Sequence, residues 1–85
     1  MNYSVYILYS QSKDKYYIGY TQNASERLLE HNAGATRSTR PGIPWIIVYS
    51  EECVNKTDAI KRENAIKKMK SRKYIQNLIS KKSVG

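Results

Sequence analysis

Apolar and polar positions alternate in two short runs near the start of the chain. Residues 3–9, YSVYILY, are rich in β-branched and aromatic types, and residues 16–20, YYIGY, form a second run of that kind. Both predict strands. The polar stretch from Ser10 to Lys15, with Asp14 inside it, predicts the turn of a β-hairpin between them. Period-two alternation sets Ser4, Tyr6 and Leu8 on one face of the first strand. In the second strand Tyr17 and Gly19 share a face opposite Tyr16, Ile18 and Tyr20, with Gly19 a bulge or a point of close approach.

The period then lengthens. Asn23 reads as a helix N-cap with Glu26 as its reciprocal partner, and the helix runs through SERLLEHN to a stop at Gly34. The stretch ATRSTRPGIP carries two prolines and a glycine and predicts a loop. Residues 45–50, WIIVYS, are nearly continuous in apolar character and predict a buried central strand. Asn55 with Asp58 opens a second helix from about Lys56 to Met69, and Ser71 caps a third with Tyr74, Ile75, Leu78 and Ile79 at helical spacing. The order β-β-α-β-α-α predicts an α/β (α+β) domain: a small three-stranded, mostly antiparallel sheet with helices packed against it. One domain is expected over residues 1–82, with a frayed tail at 83–85.

Composition narrows the function. Eighty-five residues fit one domain and allow only an economical core. Eight tyrosines, one tryptophan and no phenylalanine place phenol hydroxyls at the core's edge, where each needs a polar partner. Fifteen Lys and Arg against seven Asp and Glu give a formal charge of +8, which favours an anionic partner. Nucleic acid leads, an anionic membrane surface follows, and a lysine-solvated surface is the plain alternative. A lone Cys53 excludes an internal disulfide, and the sequence holds no Cys/His cluster for zinc. No signal peptide or membrane-length apolar segment is visible, so a cytoplasmic protein is expected.

Three features carry candidate chemistry. Arg27 and His31 are four apart on the first helix and share a face, which is either an ordinary solvated face or a fork for phosphate oxygens beside an imidazole able to pass a proton. Glu63 falls inside the apolar stripe of Ala59, Ile60 and Ile66, where a carboxylate needs a cation. A salt bridge to Arg27 satisfies that need, and so does a hard divalent ion such as Mg2+ or Mn2+. Tyr6 and Tyr17 on adjacent strands bring phenols that orient water or substrate, or simply pack.

Together VYI at 5–7, YIG at 17–19, Arg27, His31 and Glu63 resemble the GIY-YIG nuclease superfamily over essentially the whole chain. VYIL at 5–8, HNAG at 31–34, STRPG at 38–42 and KRENAIKKMKSRK at 61–73 resemble more narrowly a small stand-alone bacterial (UPF0213-like) group within it. The resemblance implies an endonuclease acting on DNA more than RNA, on branched or damaged DNA in repair or recombination. It implies that Tyr17 helps activate the attacking water or serves as general base, Tyr6 positions the phosphate, Arg27 answers phosphoryl charge, His31 relays a proton from tyrosine as in some members, and Glu63 holds one Mg2+ or Mn2+. Tyr20 and Thr21 stand where relatives often carry a lysine after YIG, for which Arg37 or Arg40 is the candidate replacement. Asn77 is the candidate for an asparagine that many relatives have in the last helix. Arg37, Arg40, Lys67, Lys68, Lys70, Arg72 and Lys73 form the candidate track for a nucleic acid backbone. Appended domains target better-known relatives, so a targeting protein partner is a further expectation. The alternative is a nucleic-acid-binding module of the same fold with little or no catalysis.

Overall fold

The computed structural model describes residues 2–84, with side chains through residue 81. The expected tail at 83–85 lies outside the described side chains, and Gly85 outside the described residues. Two strands, β1 (Tyr3–Ser10) and β2 (Lys15–Thr21), precede helix α1 (Ala24–Asn32). Strand β3 (Trp45–Cys53) is followed by α2 (Lys56–Met69) and α3 (Arg72–Val84). The order and the α/β class match the sequence expectation.

The helix ends follow from their capping residues. The Asn23 side chain accepts from the Glu26 amide at 3.1 Å, Asn55 from Asp58 at 2.8 Å, and Ser71 from Tyr74 at 3.1 Å. Gly34, at φ +83°, turns the chain after α1. Between α2 and α3 the same left-handed turn falls on Lys70.

Both strand pairings are antiparallel and the sheet order is β2-β1-β3. This corrects one expectation: the apolar run at 45–50 is an edge strand, and β1 is central. Four consecutive residues of β1, Val5 to Leu8, are buried. Hydrophobicity reports cover on the two faces, whereas centrality depends on which ladders form. Helices cover β3 on both faces, so it reads as central while pairing on one side only. Its register shifts between Ile7 and Leu8, leaving Val48 as a bulge. A second correction concerns residues 35–44, expected as a plain loop: Arg37–Gly42 winds into a short 3-10 helix, followed by a cis Ile43–Pro44 bond.

The sheet is filled from both sides. On one face Val5, Ile7 and Ile18 pack with Ala59 and Ile66 of α2 and with Tyr74, Ile75 and Leu78 of α3. On the other, Tyr6, Leu8 and Trp45 pack with Tyr17, Ile47, Ile43 and Leu28 of α1. Helices α1 and α2 therefore lie on opposite faces. Asn32 clamps α1 to β3, accepting from the Trp45 amide at 2.6 Å and donating to its carbonyl at 3.0 Å. The Trp45 indole donates to the Thr39 carbonyl at 2.7 Å, tying the 3-10 helix to the same point.

Candidate active site

The first decisive contact is between strands. Tyr6 and Gly19 are directly opposite in the β1–β2 ladder. The phenol of Tyr6 lies across the glycine, so a Cβ there would sit 2.6 Å from its hydroxyl and 2.8 Å from Cζ. A side chain at position 19 would displace the tip of the ring; glycine leaves room for it. Tyr17, two residues away on the same face, brings its ring to 6.4 Å from that of Tyr6.

Behind these phenols stands His31, fully buried at the end of α1. Its Nε2 is 3.1 Å from the Tyr6 hydroxyl and its Nδ1 is 2.9 Å from the Thr39 hydroxyl. The Thr39 hydroxyl spends its proton on the Thr36 carbonyl at 3.1 Å, so toward His31 it accepts. The ring proton is thereby assigned to Nδ1, leaving Nε2 to accept from Tyr6. Burial, helped by the nearby Arg27 charge, holds the His31 pKa below its ordinary value and keeps the ring neutral. Burial also pushes the Tyr6 phenol up to about 12, with the Arg27 guanidinium pulling the other way. A neutral histidine facing a protonated phenol is a poised donor–acceptor pair.

Arg27, one turn before His31, is held by Glu30 at 2.6 Å and reaches Thr36 Oγ1 at 3.4 Å. These bonds leave other guanidinium N–H groups for a ligand. Glu63 approaches from α2 on the opposite side of the sheet, its side chain only 13% exposed. Tyr6, Tyr17, Gly19, Tyr20, Arg27 and Glu63 together line a cleft of about 350 Å³. The Arg27–Glu63 salt bridge, one of the two alternatives for this carboxylate, is not among the described ion pairs: Arg27 pairs with Glu30, and Glu63 with Lys67 at 3.2 Å. An ammonium at the rim thus stands where the carboxylate accepts a cation. No group of three or more His, Cys, Asp or Glu forms a metal cage among the described residues. One carboxylate is nevertheless a fitting protein ligand for a hard ion whose remaining positions go to water and phosphate oxygens.

The pattern of the GIY-YIG catalytic domain matches residues 2–76. This chain belongs to the GIY-YIG family. A UPF0213 protein of Clostridium perfringens is 43% identical over 86 residues, covering 99% of this chain and 88% of its own. A UPF0213 protein of Desulfotalea psychrophila is 44% identical over 55 residues, and the match spans 62% of this chain and half the length of that relative. A structure-specific endonuclease subunit SLX1 homolog of Leishmania infantum is 47% identical over 51 residues, 52% of this chain and 7% of that protein. The solution NMR structure of a UPF0213 protein from Bacillus halodurans shares 31% identity and a TM-score of 0.59, covering 94% of this chain and 84% of its own.

Within this GIY-YIG domain, Tyr6, Tyr17, Gly19, Arg27 and Glu63 meet at the cleft, and His31 stands directly behind Tyr6. The histidine bonds the first-motif phenol, Tyr6, while the Tyr17 ring packs edge-on against it at 4.9 Å. Arg37, Arg40 and Asn77 do not line the cleft. Arg40 lies along Gly34 and donates to its carbonyl at 2.6 Å, and Asn77 is exposed on α3. Lys68, Lys70 and Lys73 are exposed around the α2–α3 junction, whereas Lys67 turns to Glu63. Arg72 grips Asp14 of the hairpin turn and lies 5.1 Å over the Tyr16 ring, fastening α3 to the sheet. Thr39 and Asn32 are positioning residues that sequence reasoning missed. Both sit inside the quoted motifs STRPG and HNAG, which were the signal for them.

Proposed function

We propose that the chain is a cytoplasmic, divalent-metal-dependent endonuclease that hydrolyses phosphodiester bonds in DNA, with branched or damaged DNA as its substrate class. The observation that carries this reading is the convergence of two phenols, a guanidinium and a nearly buried carboxylate on one cleft, backed by a neutral histidine. The overall charge of +8 favours a polyanionic substrate. Among the described residues no helix is long and apolar enough to cross a membrane.

Each group has a task that its surroundings permit. Tyr17, in the cleft beside Tyr6, holds the attacking water. As the water oxygen bonds to phosphorus, its proton passes to the Tyr6 oxygen while Tyr6 gives its own proton to His31 Nε2. This relay avoids a free phenolate, which a pKa of about 12 makes costly near neutrality. Arg27 turns its free N–H groups to the phosphoryl oxygens as their charge grows. The bond from phosphorus to the leaving oxygen breaks, that oxygen takes a proton from solvent, and His31 returns its extra proton through Tyr6 to solvent. Glu63 would hold Mg2+ or Mn2+, which when bound supplies Lewis-acid stabilisation of the developing negative charge. Specificity for a target site is assigned to the nucleic acid's shape or to a targeting protein partner.

The test is direct. Labelled single-stranded, duplex, nicked and branched DNA and RNA are incubated with the protein and Mg2+ or Mn2+, beside Glu63→Ala and Tyr17→Phe. Cleavage that disappears in both variants while binding persists is the expected result. Binding without cleavage on every substrate sinks the nuclease and leaves a binding module.

A further inference from the structure

A second cavity begins at the Tyr17 wall of the catalytic cleft. It holds about 330 Å³ and lies between β2 and the 3-10 helix, with Lys13, Lys15, Tyr17, Pro41, Gly42 and Trp45 among its lining. Lys15 and Tyr17 alternate onto the same sheet face as Gly19, so the cavity continues the cleft along the edge strand. Its floor is the Trp45 indole seated on Gly42, where a Cβ would lie 2.4 Å from the ring. The Tyr17 and Trp45 rings meet edge-on at 6.4 Å. Its mouth carries two exposed lysines that make no ion pair among the described residues.

We infer that this cavity is a subsite for an unpaired nucleobase flanking the scissile phosphate. The inference rests on the proposed phosphodiesterase reading and adds the strand state that the site takes. A slot with apolar and aromatic walls suits the flat face of a base, and lysines at its mouth suit the phosphates on either side. Continuity decides the occupant: Tyr17 is shared, so a nucleotide whose phosphate meets Arg27 has its neighbour against this opening. A stacked, paired base cannot enter a slot, so the preferred substrate is single-stranded at the cut or frays there, as at a flap, gap or junction. The slot thereby gives sequence-tolerant selection of structure, because every base presents a flat face.

Ser38 lines the slot, is exposed, and has no part in the catalytic set. Ser38→Trp therefore fills the slot with little risk to the core. Binding is measured with the non-cleaving Glu63→Gln protein and oligonucleotides carrying 2-aminopurine at successive positions, in single strands and in full duplex. The expected result is quenching at one unpaired position, none in duplex, and single-strand affinity lowered on the order of tenfold by Ser38→Trp. A Lys13→Ala/Lys15→Ala pair lowers affinity and flattens its salt dependence without abolishing the quench. Equal affinity for duplex and single strand, with no quench and no effect of Ser38→Trp, overturns the slot even where wild-type protein cleaves. Quenching without cleavage by wild-type protein upholds the slot and defeats the nuclease reading instead.

Discussion

Replacing Gly19 with alanine isolates the contact on which the site is built. Gly19 does not have a positive φ, so alanine meets no backbone strain there. It meets the Tyr6 ring, with the hydroxyl at 2.6 Å, Cζ at 2.8 Å and Tyr17 Cε2 at 3.2 Å. Tyr6 is 1% exposed and bonded to a fully buried histidine, so the ring has nowhere to swing. Overpacking of this kind costs about 1–3 kcal/mol. Displacing the phenol also loosens its bond to His31, a further cost of about 1 kcal/mol. Against this stands a gain of roughly 0.4–1 kcal/mol from the stiffer unfolded chain. The expected net loss is about 2 kcal/mol, or roughly 8–16 °C in Tm for a domain of this size. Urea unfolding followed through the fluorescence of Trp45, the only tryptophan, measures it. In a Tyr6→Phe background the loss shrinks, because the nearest clashing atom is gone. Equal loss in the two backgrounds, or no loss at all, refutes the steric account.

Three further outcomes follow from the same geometry. Tyr6→Phe leaves His31 Nε2 buried without a donor and costs about 1–3 kcal/mol, whereas Tyr17→Phe changes stability by less than ~0.5 kcal/mol while removing cleavage; urea titrations beside activity assays check the contrast. Because the folded His31 pKa lies below its ordinary 6.5, its contribution to stability is complete above pH 6.5 and is lost as pH falls from there through the folded value. Denaturation at stepped pH should show that acid-side loss, and titration of the imidazole by NMR at a pKa of 6.5 or higher would contradict it. Lys67→Ala frees the Glu63 carboxylate of its ammonium, so Mn2+ binding by calorimetry tightens roughly two- to fivefold; unchanged or weaker binding refutes the competition.

Much of this was legible before any coordinates. The caps at Asn23, Asn55 and Ser71 set the helices because each is a local interaction written in three or four consecutive residues. Period-two alternation put Tyr17 and Gly19 on one face, which is where the cleft forms. The partner of Glu63 was not legible. The apolar stripe marked an anomalous carboxylate, but its choice of Lys67 over Arg27 depends on a sheet lying between α1 and α2. Thr39 was hidden for a related reason: a Pro- and Gly-rich stretch reads as a loop, and only its 3-10 winding brings the hydroxyl under the histidine. The central strand was misread because helical cover on both faces gives an edge strand a core-like composition.

The split of the site across the sheet has a consequence for control. Phenols, imidazole and guanidinium gather on the α1 side, while the carboxylate arrives from α2 on the far side. Neither layer holds a complete set of groups, and the two sets meet in the cleft at the edge strand β2. On the proposed nuclease reading, hydrolysis is then a logical conjunction: it needs both helical layers docked at once. On the same reading, a partner or stress that loosens α2 would remove the metal-holding carboxylate while leaving the phenols, imidazole and guanidinium in place.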